Sequence, residues 1–113
     1  MHRFRSLIRW HRPGRDNPPH GHTVVRLHGD LDARNADATS RRLVRLIDTG
    51  VDVLEVDLAD VQYLSPDGCA AFFAALRTAR VRGGRLVITH ASDHAQSVLH
   101  QIGLSRALSE QDG

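Results

Sequence analysis

Lysine is absent from this chain, and cysteine, methionine, tryptophan and tyrosine each occur once. The single cysteine, Cys69, cannot close an internal disulfide. A reducing compartment therefore fits and a disulfide-stapled secreted scaffold does not, so the expected location is the cytoplasm. No apolar run approaches the roughly 20 residues that a membrane-spanning helix needs. The amino-terminus lacks the continuous apolar stretch of a secretory leader. No glycine-rich phosphate loop with its lysine is present, and no G-x-S-x-G turn. Paired cysteines, the usual mark of a structural zinc site, are missing as well. The eight histidines do not replace them. His20 and His22 flank a glycine in a linker-like stretch, and His90 and His94 straddle an expected strand end and helix start. Neither an enzyme nor a resident metal or other cofactor is expected.

What is present fits one α/β domain of 113 residues, 41% hydrophobic and 25% charged. The formal charge of +2 is unevenly spread. Residues 1–22 hold five arginines against Asp16, a balance of +4, and the remainder holds ten arginines against twelve acids, −2. This is a basic arm on a mildly acidic domain, not a basic face that grips nucleic acid, so no specific nucleic-acid partner is expected. Membrane contact is expected only through a partner or weakly through the arm. Prolines 13, 18 and 19 with Gly14 and Asn17 mark a linker. Upstream of it, Phe4, Ile8 and Trp10 alternate with arginines as an edge strand would, and Phe4, Leu7, Ile8 and His11 also fit an amphipathic helix. Both templates rest on few residues, so residues 1–22 are expected as an arm and residues 23–110 as the domain.

Within the domain, strand and helix alternate three times. Val24, Val25 and Leu27 form a β-branched run that stops at Gly29. A helix over residues 34–49 carries Ala36, Leu43, Leu46 and Ile47 on one stripe and ends at Gly50. Residues 51–58 read as the second strand, with Leu54, Val56 and Leu58 on one face and Glu55 and Asp57 on the other. Ser65 caps a second helix that has Pro66 in its first turn and buries Cys69, Phe72, Phe73, Leu76 and Ala79. A third strand over residues 85–90 leads to a helix from Ser92 to Gly103 with Ala95, Val98, Leu99 and Ile102 inward. Short loops and crossover helices imply a mostly parallel sheet of about four strands. Asp32 is expected at or near the cap of the first helix. Asp57, Asp60 and Asp67 come near the carboxyl end of the second strand, where open α/β sheets bind ligands. Without a phosphate loop they are weak grounds for a magnesium or nucleotide site.

Four stretches in order resemble one family. Val24-Val25-Arg26-Leu27-His28-Gly29-Asp30-Leu31-Asp32 is similar to the opening strand and G-[DE]-L-D turn of STAS domains, found in anti-sigma factor antagonists and sulfate-transporter tails. Val53-Leu54-Glu55-Val56-Asp57-Leu58-Ala59-Asp60-Val61 resembles the family's L-x-L-D-L-x-x-V strand. Tyr63-Leu64-Ser65-Pro66-Asp67-Gly68 stands where the family carries an aromatic, an apolar residue and D-S-S-G. Residues 79–88 and Ile102-Gly103-Leu104 complete the match.

The resemblance implies a regulator that binds another protein. In such antagonists a serine at the start of the second helix is phosphorylated by an anti-sigma factor that is itself a serine kinase, and phosphate dissolves the complex. Added phosphate brings about −1.5 to −2 charges to an interface built for a hydroxyl. The matching position here is Asp67, and the family's aspartate is Ser65. Phosphorylation at the usual position is therefore not expected. The resemblance places partner binding at Ser65, Pro66, Asp67 and Gly68, with Asp30 and Asp32 beside them. Gly68 in a helical turn needs a reason such as close approach of a partner. Asp67 could also serve only as a first-turn carboxylate against the helix dipole. The implied partner is a kinase-type anti-sigma factor or a related switch protein controlling sigma-dependent transcription. The alternative is a STAS accessory subunit acting as a structural clamp in a membrane transport complex.

Overall fold

The computed structural model describes residues 8–11 and 21–108. Its elements are strands β1 (Ile8–His11), β2 (His22–Leu31), β3 (Val53–Leu64) and β4 (Arg85–Thr89), and helices α1 (Ala36–Ile47), α2 (Ala70–Val81) and α3 (Asp93–Ile102). A 3-10 turn, Ser105–Ala107, follows α3. The sheet order is β1-β2-β3-β4, with β2, β3 and β4 parallel and β1 antiparallel to β2. Both parallel crossovers advance the sheet in the same direction, so their right-handed sense sets α1 and α2 on one face. There the two helices pack against each other.

The core lies under these helices. Val25, Leu27 and Leu31 of β2, Leu54, Val56 and Leu58 of β3, and Leu86 and Ile88 of β4 meet Leu43, Ile47, Phe72 and Leu99 from the helices. In α1 the buried residues are Ala36, Thr39, Leu43 and Ile47, spaced as one helical stripe. Ser92 caps α3 by accepting from the Ala95 N–H at 3.1 Å, and Gly103 ends it in the left-handed conformation.

Both long strands outrun the expectation from sequence. β2 continues past Gly29 to Leu31, and β3 runs to Leu64 instead of Leu58. Register shifts between Arg26 and His28, and between Gly29 and Asp30, accompany the extra length. At both shifts the extra residue lies in β3, and Gly29 opposite has φ +87°, which costs glycine nothing. Beyond Leu58 the buried residues are Val61 and Leu64, three apart, so the two-residue alternation that marks a strand is lost.

For the amino-terminal segment, residues 8–11 take the edge-strand form. Ile8 lies opposite Leu27, and His11 opposite Val24. The parallel set leaves the outer backbone groups of β2 without a strand, and an antiparallel neighbour satisfies them. The rest of the expected arm, residues 1–7 and 12–20, lies outside the described residues.

Candidate functional site

The parallel pairing of β2 and β3 brings their carboxyl ends side by side, with Asp30 opposite Tyr63 and Leu31 opposite Leu64. The loops leaving those ends are tied together, since the Ser65 N–H donates to the Leu31 carbonyl at 3.0 Å. All six residues singled out from sequence therefore fall in one region, on two adjacent loops.

The 65–68 turn is tight. Ser65 Oγ accepts from the Gly68 N–H at 2.9 Å, the capping role expected of it. Backbone N–H groups of Cys69, Ala70 and Ala71 donate three residues back, to Pro66, Asp67 and Gly68. This 3-10-like turn leads into α2, whose regular part begins at Ala70 and not at the Ser65-Pro66 pair. Pro66 and Asp67 are exposed on its outside. The Asp67 carboxylate has no hydrogen-bond or ion-pair partner among the described residues.

Gly68 is buried, and its reason lies inside the molecule. A Cβ there would stand 2.2 Å from the Leu31 carbonyl oxygen and 2.9 Å from the Asp32 nitrogen. The turn thus rests directly on the backbone of the β2–α1 loop, a position only glycine fits. Close approach of a partner is not needed to explain this residue.

Across the seam, Asn35 directly precedes α1 without a side-chain cap bond, and Asp32 lies near the cap as expected: its carbonyl accepts from the Ala36 N–H at 3.0 Å, while its carboxylate bonds no N–H of the helix itself. Asp32 instead closes an Asx turn: Oδ1 accepts from the Arg34 N–H at 3.0 Å, and Oδ2 from the Arg34 guanidinium at 2.9 Å. The guanidinium bond first, and the backbone bond second, hold its carboxyl below the usual carboxylate range. Asn35 laces the loop by donating Nδ2 to the Asp30 carbonyl at 2.9 Å and accepting from the Asp32 N–H at 3.1 Å. Asn35 was legible as a helix-start residue, directly before the apolar stripe, but Asp32 drew the assignment. Asp30 is exposed beside it.

Histidine 94 was also missed as part of this region. Its ring stacks on Tyr63 with centroids 5.5 Å apart, and its Nε2 lies 3.2 Å from the Leu64 carbonyl oxygen. Tyr63 remains 46% exposed, so the pair presents an aromatic surface at the end of β3.

The three carboxylates near the end of β3 do not gather. Asp57 is buried and accepts from Arg26 Nε at 3.2 Å and from the Ala59 N–H at 2.8 Å. His90 Nδ1 stands 3.2 Å from its other side. A buried carboxylate persists only when so partnered, and this one ties the middle of β2 and β3 to the end of β4. Asp60 and Asp67 are exposed elsewhere. Among the described residues, no three His, Cys, Asp or Glu side chains come together as a cation site would need. No helix among them is long and apolar enough to cross a membrane.

Cys69 follows Gly68 into the core and is fully buried. Burial pushes its thiol up from an ordinary 9.0 to about 11. It packs as a small apolar side chain, the sequence reading, and is not an activated nucleophile. The native state keeps a proton that the unfolded chain releases at lower pH. Stability should thus be unaffected below about pH 9 and fall as pH rises towards about 11. At pH 8 a disulfide reagent is expected to label Cys69 only after urea is added. Rapid labelling in native buffer would show that the turn opens readily.

Comparison with known proteins agrees with this architecture. The family model described as Mlab, STAS domain, matches residues 17–110. The unphosphorylated form of the anti-sigma factor antagonist SpoIIAA superposes with a TM-score of 0.74 at 16% identity, covering 92% of this chain and 90% of that one. SpoIIAA in its phosphorylated form, a Bacillus cell fate determinant, gives 0.65 at 16% identity, covering 92% and 93%. A sulfate transporter family protein from Wolinella succinogenes gives 0.67 at 19%, covering 87% and 79%. No match was found among curated protein sequences. The structural likenesses, all at low identity, speak for the fold, and the family match runs through β2, β3, the 65–68 turn and all three helices. This chain belongs to the STAS domain family.

Proposed function

We propose that this chain is a cytoplasmic partner-switching regulator that acts by binding and not by catalysis. Its partner is a kinase-type anti-sigma factor or a related switch protein, and its output is sigma-dependent transcription. The contact surface is the turn of Ser65, Pro66 and Asp67, flanked by Asp30 and Asp32, with Gly68 as the internal support of that turn. One observation carries this reading: Asp67, exposed and unpartnered among the described residues, stands at the family's acceptor position. The likeness to SpoIIAA, an anti-sigma factor antagonist, supports it.

A carboxylate carries one negative charge where phosphoserine carries about −1.5 to −2. Asp67 therefore gives the turn a permanent, weaker version of the phosphorylated electrostatics, and no kinase can add to it or remove it. Ser65, the nearest hydroxyl, is half-buried and engaged with the Gly68 N–H, so phosphate there would break the cap.

Incubation with a kinase-type anti-sigma factor and ATP tests this reading. The wild-type domain should gain no phosphate in the turn, whereas Asp67→Ser should gain one on the new hydroxyl, located by mass spectrometry. Before phosphorylation, Asp67→Ser should bind the kinase about 5-fold tighter, because about 1 kcal/mol of repulsion is removed. Efficient phosphorylation of wild-type Ser65 would overturn the idea of an inert switch. A second reading, a clamp subunit in a membrane transport complex, draws on the likeness to the transporter family protein. Binding of neither variant to such kinases, with co-purification of membrane transport subunits, would favour it.

A further inference from the structure

Along the carboxyl-terminal half of α2 runs an open groove of about 740 Å³, bounded by β4 and residues 103–107. Arg77, Arg80, Arg85 and Arg106 line it, and no acidic side chain does among the described residues. Elsewhere Arg26, Arg34, Arg41 and Arg82 each hold a carboxylate. The four groove arginines hold none among the described residues. Clustered like charges repel, so a surface of this kind favours an anionic partner.

The rest of the groove narrows the class of anion. Phe73, 42% exposed, and half-buried Leu76 line it beside the arginines, an apolar strip next to a cationic one. Its border is also a sheet edge. β4 is the last strand in the order, and among the described residues its outer side carries one bridge, Ile88 to Leu108. The Arg85 N–H donates inward to the Asp52 carbonyl at 2.8 Å. By strand alternation the peptide groups of Leu86 face outward, but Leu86 is only 5% exposed and Ile88 is bridged to Leu108, so the groove offers its side chains and not an open strand edge. We infer that this groove docks an extended acidic segment of a partner protein. Carboxylates of the segment meet the arginines, and an apolar side chain covers Phe73 and Leu76. A nucleic-acid backbone would match the arginines and leave the apolar strip of Phe73 and Leu76 unmatched. No groove residue belongs to the 65–68 turn, so the inference stands apart from the switch reading.

The test uses the full chain and a fluorescein-labelled nonapeptide of alternating glutamate and valine, read by anisotropy. Saturable binding is expected, with a Kd on the order of 100 μM at low salt, weakened about 5-fold or more when sodium chloride is raised from about 50 to 300 mM. The lysine-for-glutamate peptide should not bind. Arg80→Glu with Arg106→Glu should lower affinity at least about 10-fold at unchanged melting temperature. Phe73→Ala should lower it about 3-fold while leaving the salt dependence intact. Amide shifts on titration should map to residues 84–88 and 103–107. Absence of saturable binding, or shifts confined to other surfaces, would overturn the inference. Tighter binding of a thymidine nonanucleotide would assign the groove to nucleic acid instead. Self-association abolished by the double charge reversal would assign it to a second copy of this chain.

Discussion

Replacing Gly68 by alanine is expected to destabilise the domain by about 3 kcal/mol or more, at the upper end of what one added methyl does in a packed interior. The added Cβ would lie 2.2 Å from the Leu31 oxygen, 2.6 Å from the Leu31 carbonyl carbon and 2.9 Å from the Asp32 nitrogen. These are backbone atoms at a strand end, so no side chain can swing aside to make room. Relief requires the 65–68 turn to move off the β2–α1 loop, which would strain the bond from the Ser65 N–H to Leu31. Alanine's helical advantage of about 0.5–1 kcal/mol offsets only part of that. Urea unfolding measures the outcome, and an unchanged midpoint would mean the turn stands further from the loop than described. If the variant stays folded, its turn and the Asp30–Asp32 loop should sit further apart, and binding of a switch partner should weaken with it.

Truncating Phe72 to alanine should cost about 3–5 kcal/mol. Phe72 heads the fully buried side chains by volume, at 0% exposure on the inner face of α2. Its loss removes apolar burial and leaves a void that the surrounding core cannot fully close. For a domain of this size the whole stability is only about 5–15 kcal/mol, so the variant should lie near its unfolding threshold. A change under about 1 kcal/mol would mean that the ring does not lie in the core. The neighbouring Phe73 provides the contrast, since at 42% exposure its truncation should cost far less. The sequence placed both rings on the buried stripe. Adjacent helical residues point about 100° apart, and only the packed helix decides which of them turns outward.

Features legible in advance were those that repeat over short spans. The stripes of α1 and α3, the serine cap at Ser65, the helix start at Ser92 and the strand–helix alternation depend on neighbours within a few residues, so each leaves a period or a pair in the chain. The ordered motifs likewise carried the family assignment. Sequence also set the chemistry at Asp67, because a carboxylate there in place of a hydroxyl is a fact of residue identity.

Contacts between distant segments were hidden. Asp57 meets Arg26, 31 residues away, and His94 reaches the Leu64 carbonyl across 30 residues. Bulges in β3 erased the two-residue period by which its length is read. Gly68 looked like a surface prepared for a partner until Leu31 was seen beneath it. The four groove arginines come from α2, the start of β4 and the 3-10 turn, three places that the linear pattern keeps apart. Local periodicity thus determined which elements form, because helix and strand signals are carried by near neighbours. Tertiary packing alone decided which polar groups are paired, which glycine is irreplaceable and which charges are left facing solvent, because those outcomes depend on atoms that meet only after the chain has folded.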